Sequence, residues 1–211
     1  GKNNVVKVGI KKEFNLKKLP QRNTKKILFS LQIVPGLDVK LVNNYIDDIN
    51  KLIIFNKDFL TKNNYKIIFK HHPRYTTYNC PKINFEEDFI DFDNQTPILD
   101  LLNTVSIHMT FHSTSAFDAA MIGIPTIFLD MLGEMSPKEI FLNQYKYPCK
   151  DMVIKDFKDL EKILVDIDNK EIFINKCDDV HQWSKDFYDD FDEKMFEDFL
   201  SNKVNKNILN N

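Results

Sequence analysis

Residues 106–130, SIHMTFHSTSAFDAAMIGIPTIFLD, contain one complete structural unit. SIHMTF (106–111) reads as a strand. STSAFDAAMIG (113–123) reads as a helix that Gly123 ends, and IPTIFLD (124–130) as a second strand. A strand, a helix and a strand in immediate succession predict two parallel strands joined by a crossover helix.

The same alternation extends in both directions. Upstream, KILFSLQ (26–32) is a buried strand closed by VPGLD. From Val39 to about Asn63, apolar residues at Val39, Val42, Ile46, Ile49, Leu52, Ile53 and Phe59 predict a long amphipathic helix. YKIIFK (65–70) and FIDF (89–92) are further strands, separated by a loop containing Pro81. NQTPILDLLNTV predicts a helix with Thr96 as N-cap and Pro97 at its first position. Downstream, DMVI (151–154) is a short strand, Asp156 is expected to cap a helix over DFKDLEKILVDID, and residues from Lys170 onward read as charged, aromatic-rich helix with a fraying tail. VVKVGI (5–10) reads as an isolated strand followed by a basic linker. The fold expected is a doubly wound, mainly parallel α/β sheet covered by helices on both faces. Its domain spans 25–168, with a helical extension over 169–211.

Composition narrows the function classes. With 29 basic and 31 acidic residues the net charge is −2, which argues against a dedicated nucleic-acid binder. Three cysteines, Cys80, Cys149 and Cys177, lie far apart without CxxC spacing. They predict neither a disulfide framework nor a structural zinc site, and suit a reducing, cytoplasmic setting. No apolar run reaches the roughly 18–20 residues a membrane span requires, so at most peripheral membrane contact is expected. Metal-ligand spacings such as HxH or HExxH are missing, and so are GxGxxG and Walker loops.

In doubly wound sheets ligands bind beyond the carboxyl ends of the strands. Three corners fall there: residues 30–32 with Gln32, residues 71–74 (HHPR), and residues 112–115 (HSTS). They are expected to converge on one crevice. His112, Ser113, Thr114 and Ser115 open a helix whose free N–H groups and hydroxyls suit a phosphate, although such residues also start helices with no ligand at all. Asp118 lies one turn further on the same face, where it suits a ribose diol or simply favours the helix dipole. Pro73 keeps His72 extended, so that its imidazole reaches a phosphate, and Arg74 adds a fork of donors. The competing view is a solvated loop with incidental histidines. Strand alternation aims His72 into the crevice and His71 away from it. His108 and His181 read as structural.

The run YKIIFKHHPR … DFDNQTPILDLLNTVSIHMTFHSTSAFDAAMIGIPTIFLD resembles the C-terminal, nucleotide-sugar-binding half of bacterial GT-B glycosyltransferases that build surface polysaccharides, sialyltransferases and related capsule or lipooligosaccharide transferases above all. His72-Pro73 matches their HP motif, Ser113-Thr114-Ser115 their serine-threonine motif, and Asp118 the acidic residue of the wider group that holds the donor ribose. The resemblance implies a Rossmann-like fold and a nucleotide-sugar donor, a CMP-sugar among the candidates, as substrate rather than a cofactor. It also implies metal-independent transfer in which His72 stabilises the departing phosphate. The family's general base lies in an acidic-acidic-Gly motif of an N-terminal acceptor domain, and no such triplet occurs here. Residues 1–24 therefore read as the linker from a missing N-terminal domain that would hold the glycan acceptor, and the 211-residue chain is expected to be inactive alone. A sugar-nucleotide epimerase of the same fold and a non-catalytic nucleotide-binding module are the alternatives.

Overall fold

Six strands form one sheet in the computed structural model, which describes residues 20, 23–31, 39–72, 87–131, 138–188, 193, 194, 197 and 198. They are β1 (Lys26–Ser30), β2 (Lys66–Lys70), β3 (Ile90–Phe92), β4 (Ile107–Thr110), β5 (Thr126–Leu129) and β6 (Val153–Ile154). Their order across the sheet is β3-β2-β1-β4-β5-β6, and every neighbouring pair is parallel. The expected doubly wound architecture is therefore present. The order reverses between β1 and β4, and such a switch point opens a crevice at the carboxyl edge.

Five helices and one wide π-type segment (Lys138–Gln144) connect and cover these strands: α1 (Val39–Lys62), α2 (Ile98–Leu102), α3 (Ser115–Met121), α4 (Asp159–Asp168) and α5 (Lys170–Ser184). β4 and β5 are buried along their whole length, as strands covered on both faces must be. Alternation in β1 divides the core. Ile27 and Phe29 pack with Ile49, Leu52 and Ile53 of α1, while Leu28 joins Leu101 and Leu102 of α2 and Ala119 of α3.

Helix ends follow local chemistry, with two corrections. Gly123 has φ 72°, and the Ile124 N–H donates to the Ala119 carbonyl at 2.9 Å, so the glycine stops α3 as expected. Thr96 is not the cap of α2. Pro97 occupies the N-cap position, because the Asp93 carboxylate draws Thr96 into a turn of its own, accepting from its N–H (2.9 Å) and its hydroxyl (2.7 Å). Asp156 likewise precedes its helix instead of capping it. Lys158 stands at the N-cap of α4, and the Asp159 carboxylate reaches back to the Lys155 and Asp156 N–H groups.

α5 starts on Asn169, whose side chain accepts from the N–H groups of Glu171 and Ile172. It packs on α3: Trp183 stacks on Phe117 with centroids 5.1 Å apart, and His181 Nδ1 meets the Met121 carbonyl at 3.0 Å. Phe187, just beyond α5, packs on Trp183 and Phe117. Among the described residues no helix is long and apolar enough to cross a membrane. The strand expected at 5–10, the linker after it, the turn after β1 and most of the loop after His72 lie outside the described residues.

Candidate functional site

At the sheet's carboxyl edge, a cleft of about 360 Å³ opens where the strand order reverses. Its walls come from four places in the sequence: Ser30 and Leu31 at the end of β1, Lys70 to His72 at the end of β2, residues 94–98 leading into α2, and Ser113 to Ser115 with Asp118 at the start of α3. Of the residues singled out in the sequence, His72, Ser113, Thr114, Ser115 and Asp118 all meet there. Gln32 and Arg74 lie outside the described residues. His112, expected among the nucleotide-binding residues, is not part of the cleft wall. It is half-buried, and burial lowers its pKa.

His71 departs from expectation. It lines the cleft together with His72, because β2 ends at Lys70 and strand alternation does not govern the residues beyond it. The His71 N–H donates to Asn94 Oδ1 at 2.9 Å, and its ring stacks on Phe92 with centroids 6.4 Å apart. Burial lowers the pKa of this imidazole.

The α3 corner is organised from below by His108. This imidazole is fully buried in β4, and burial depresses its pKa to about 3, so it is neutral at pH 7. Its Nε2 lies 2.9 Å from Ser30 Oγ and 3.2 Å from Ser115 Oγ, and its Nδ1 lies 3.0 Å from Thr126 Oγ1. One ring thereby couples β1, α3 and β5, and orients two hydroxyls that line the cleft. The helix itself begins at Ser115, two residues later than expected, with Ser113 Oγ accepting from the Ser115 N–H at 3.2 Å. With seven residues, α3 contributes little macrodipole. Burial raises the pKa of Asp118, and the Asp118 charge in turn helps raise that of Tyr188.

Two contributors escaped the sequence reading. One is the turn at residues 93–96, where Asp93 also accepts from the Gln95 N–H at 3.1 Å. The other is Lys70, whose Nζ donates to the Thr96 carbonyl at 2.5 Å. The signals were an aspartate three residues before a threonine just after a strand, and a buried lysine at the carboxyl end of a strand whose centre is apolar. Among the described residues no group of three or more His, Cys, Asp or Glu side chains is placed to hold a metal ion.

Solved structures of glycosyltransferases with the GT-B fold share this architecture. The chain superposes on TarM with a TM-score of 0.53 at 15% identity, covering 89% of this chain and 37% of TarM. It superposes on the wall teichoic acid polymerase TagF with a TM-score of 0.52 at 17% identity, covering 92% and 45% respectively. The spinosyn rhamnosyltransferase SpnG, complexed with thymidine diphosphate, gives 0.51 at 11% identity, covering 81% and 45%. The chain thus spans less than half the length of each, and the likeness is one of fold: a Rossmann-like α/β sheet shared with GT-B glycosyltransferases. No protein-family model matches the chain. No curated protein matches it.

Proposed function

We propose that this chain is the donor-binding, C-terminal half of a GT-B glycosyltransferase, with the cleft at the sheet's carboxyl edge as the nucleotide-sugar site. The observation that carries this reading is the meeting of His72, Ser113, Thr114, Ser115 and Asp118 in one cleft at the switch point of the sheet. Hydroxyls and imidazole suit the donor phosphate, and a carboxylate one turn along α3 suits its ribose. The thymidine diphosphate carried by SpnG on the same fold supports a nucleotide as the ligand of such a cleft. In transfer, His72 faces the charge that develops on the departing phosphate and stabilises it, with no requirement for a metal ion.

In this proposal, residues 25–168 form the donor domain, residues 169–211 extend it, and residues 1–24 lead from an N-terminal acceptor domain. The donor is a CMP-sugar, and the transferase belongs with the sialyltransferases or the capsule and lipooligosaccharide transferases of the cytoplasm. Titration calorimetry with CMP, CDP, UMP and UDP tests it: the 211-residue chain is expected to bind a cytidine nucleotide and to transfer no sugar unaided. Absence of binding to all four at millimolar ligand would sink the reading, and efficient transfer by this chain alone would overturn the half-enzyme arrangement.

A further inference from the structure

Lys70 is a lysine in an unusual position. It closes β2 with 7% of its surface exposed, yet it forms part of the cleft wall. Its Nζ donates to the Thr96 carbonyl at 2.5 Å and reaches the Asp93 carbonyl at 3.4 Å. An ammonium has three N–H donors, so one is left over after these two carbonyls. Among the described residues no carboxylate forms an ion pair with it. The nearby Asp93 carboxylate is occupied by the N–H groups of Gln95 and Thr96 and by the Thr96 hydroxyl.

A cation removed from water is costly unless an opposite charge meets it. Burial accordingly lowers the pKa of Lys70, an effect that Asp93 partly opposes. Lys70 is also the one lysine or arginine among the described residues of the cleft wall. An anion entering the cleft finds an ammonium that is already desolvated and already held by two carbonyls, so little ordering remains to be done on binding.

Resting on the donor-site reading above, we infer that Lys70 is the anion anchor of the cleft: its remaining N–H takes a phosphate oxygen of the bound nucleotide, and its carbonyl contacts join that phosphate to the turn at residues 93–96. A lysine that merely ties β2 to this turn would have the same two carbonyl contacts and no effect on ligand charge.

The experiment titrates wild type, Lys70→Met and Lys70→Arg with CMP, cytidine and inorganic pyrophosphate. The expected result is a loss of about tenfold or more in CMP and pyrophosphate affinity for Lys70→Met, unchanged cytidine affinity, and partial recovery in Lys70→Arg. Equal CMP affinity in wild type and Lys70→Met would overturn the anchor while leaving the nucleotide site standing. Pyrophosphate binding that depends on Lys70, with no CMP binding, would keep the anchor and remove the nucleotide. If Lys70→Met fails to fold, NMR of wild type labelled with ¹³C at lysine Cε decides: a resonance assigned to Lys70 by its absence in Lys70→Arg moves on adding pyrophosphate, and a stationary one overturns the inference.

Discussion

The two sides of the cleft are built on opposite plans. At the α3 corner the polar groups are engaged with one another. Ser115 and Ser30 share the His108 ring, Thr126 holds its other nitrogen, and Ser113 accepts from the Ser115 N–H. At the β2 corner the chain leaves the sheet with Lys70, His71 and His72 in succession, and backbone contacts with the turn at residues 93–96 hold it in place. One corner has hydroxyls fixed around a neutral, fully buried ring, with the Asp118 carboxylate one turn on, and the other has a lysine and two histidines at the cleft wall. Satisfied buried networks specify geometry, whereas a charge near the cleft wall acts on a charged guest. On this comparison the α3 corner is expected to set the shape of the cleft and the β2 corner its positive charge.

The largest effect that can break this comparison lies beneath the α3 corner. Replacing His108 by alanine removes a fully buried ring and leaves three hydroxyls without their partner, so a loss of about 3–5 kcal/mol of stability is expected in urea denaturation. Acid sharpens the point. The imidazole has a pKa of about 3 when folded and one near 6.5 when unfolded. The unfolded chain therefore binds the extra proton between those values, and the stability that neutral burial provides above pH 6.5 is lost as the pH falls toward 3. The slope approaches about 1.4 kcal/mol per pH unit. Wild type should lose stability faster than His108→Gln by about that amount between pH 6 and pH 4. Parallel slopes would show that His108 is not held neutral, and the rigid half of the comparison would fall.

The next effect concerns the β2 corner. His72→Ala should weaken CMP binding by about tenfold, the worth of one hydrogen bond to a charged group. His71→Ala should register first as a lowered Tm, because that ring stacks on Phe92, and should change CMP affinity by less than about threefold. Both side chains reach the cleft wall, so the comparison of affinities is a direct one. Equal losses from the two variants, with folding intact, would make the pair a single binding unit.

How far the sequence foretold all this depends on the range of the interaction. The parallel sheet was legible because burial on both faces keeps charged residues out of β4 and β5 and leaves them mostly apolar, and because Gly123 marks the end of α3 with its positive φ. His72 and residues 113–115 were legible because a doubly wound sheet sends its strand ends to one edge. His71 was misplaced for a local reason: alternation was extended two residues past the end of the strand. The cap of α2 was misassigned because Asp93 competes for Thr96 through hydrogen bonds that propensity does not weigh. The role of Lys70 was invisible. Its hydrogen-bond partners are Asp93 and Thr96, more than twenty residues away, and only the strand order brings them together.

The smallest effect is also the most discriminating. Asp118 lines the cleft one turn into α3, where burial raises its pKa. If it accepts hydrogen bonds from a ribose diol, Asp118→Ala removes that contact and Asp118→Asn keeps the shape but loses the charge-assisted part. CMP should then bind several-fold more weakly to each variant, while pyrophosphate should bind as well or slightly better, since a negative charge has left the cleft. If the carboxylate serves only the first turn of α3, the same changes alter stability by a fraction of a kcal/mol, about what a helix-dipole contact is worth. CMP affinity would then stay constant. The decisive quantity is the ratio of CMP to 2′-deoxy-CMP affinity, measured for wild type and for Asp118→Ala. Wild type should prefer the ribonucleotide, because the 2′-hydroxyl is one of the two donors that a carboxylate at this position would accept. The variant should lose the preference. A ratio that Asp118→Ala leaves unchanged would retire the ribose contact and assign Asp118 to the shape-determining side of the cleft, together with Ser115 and His108.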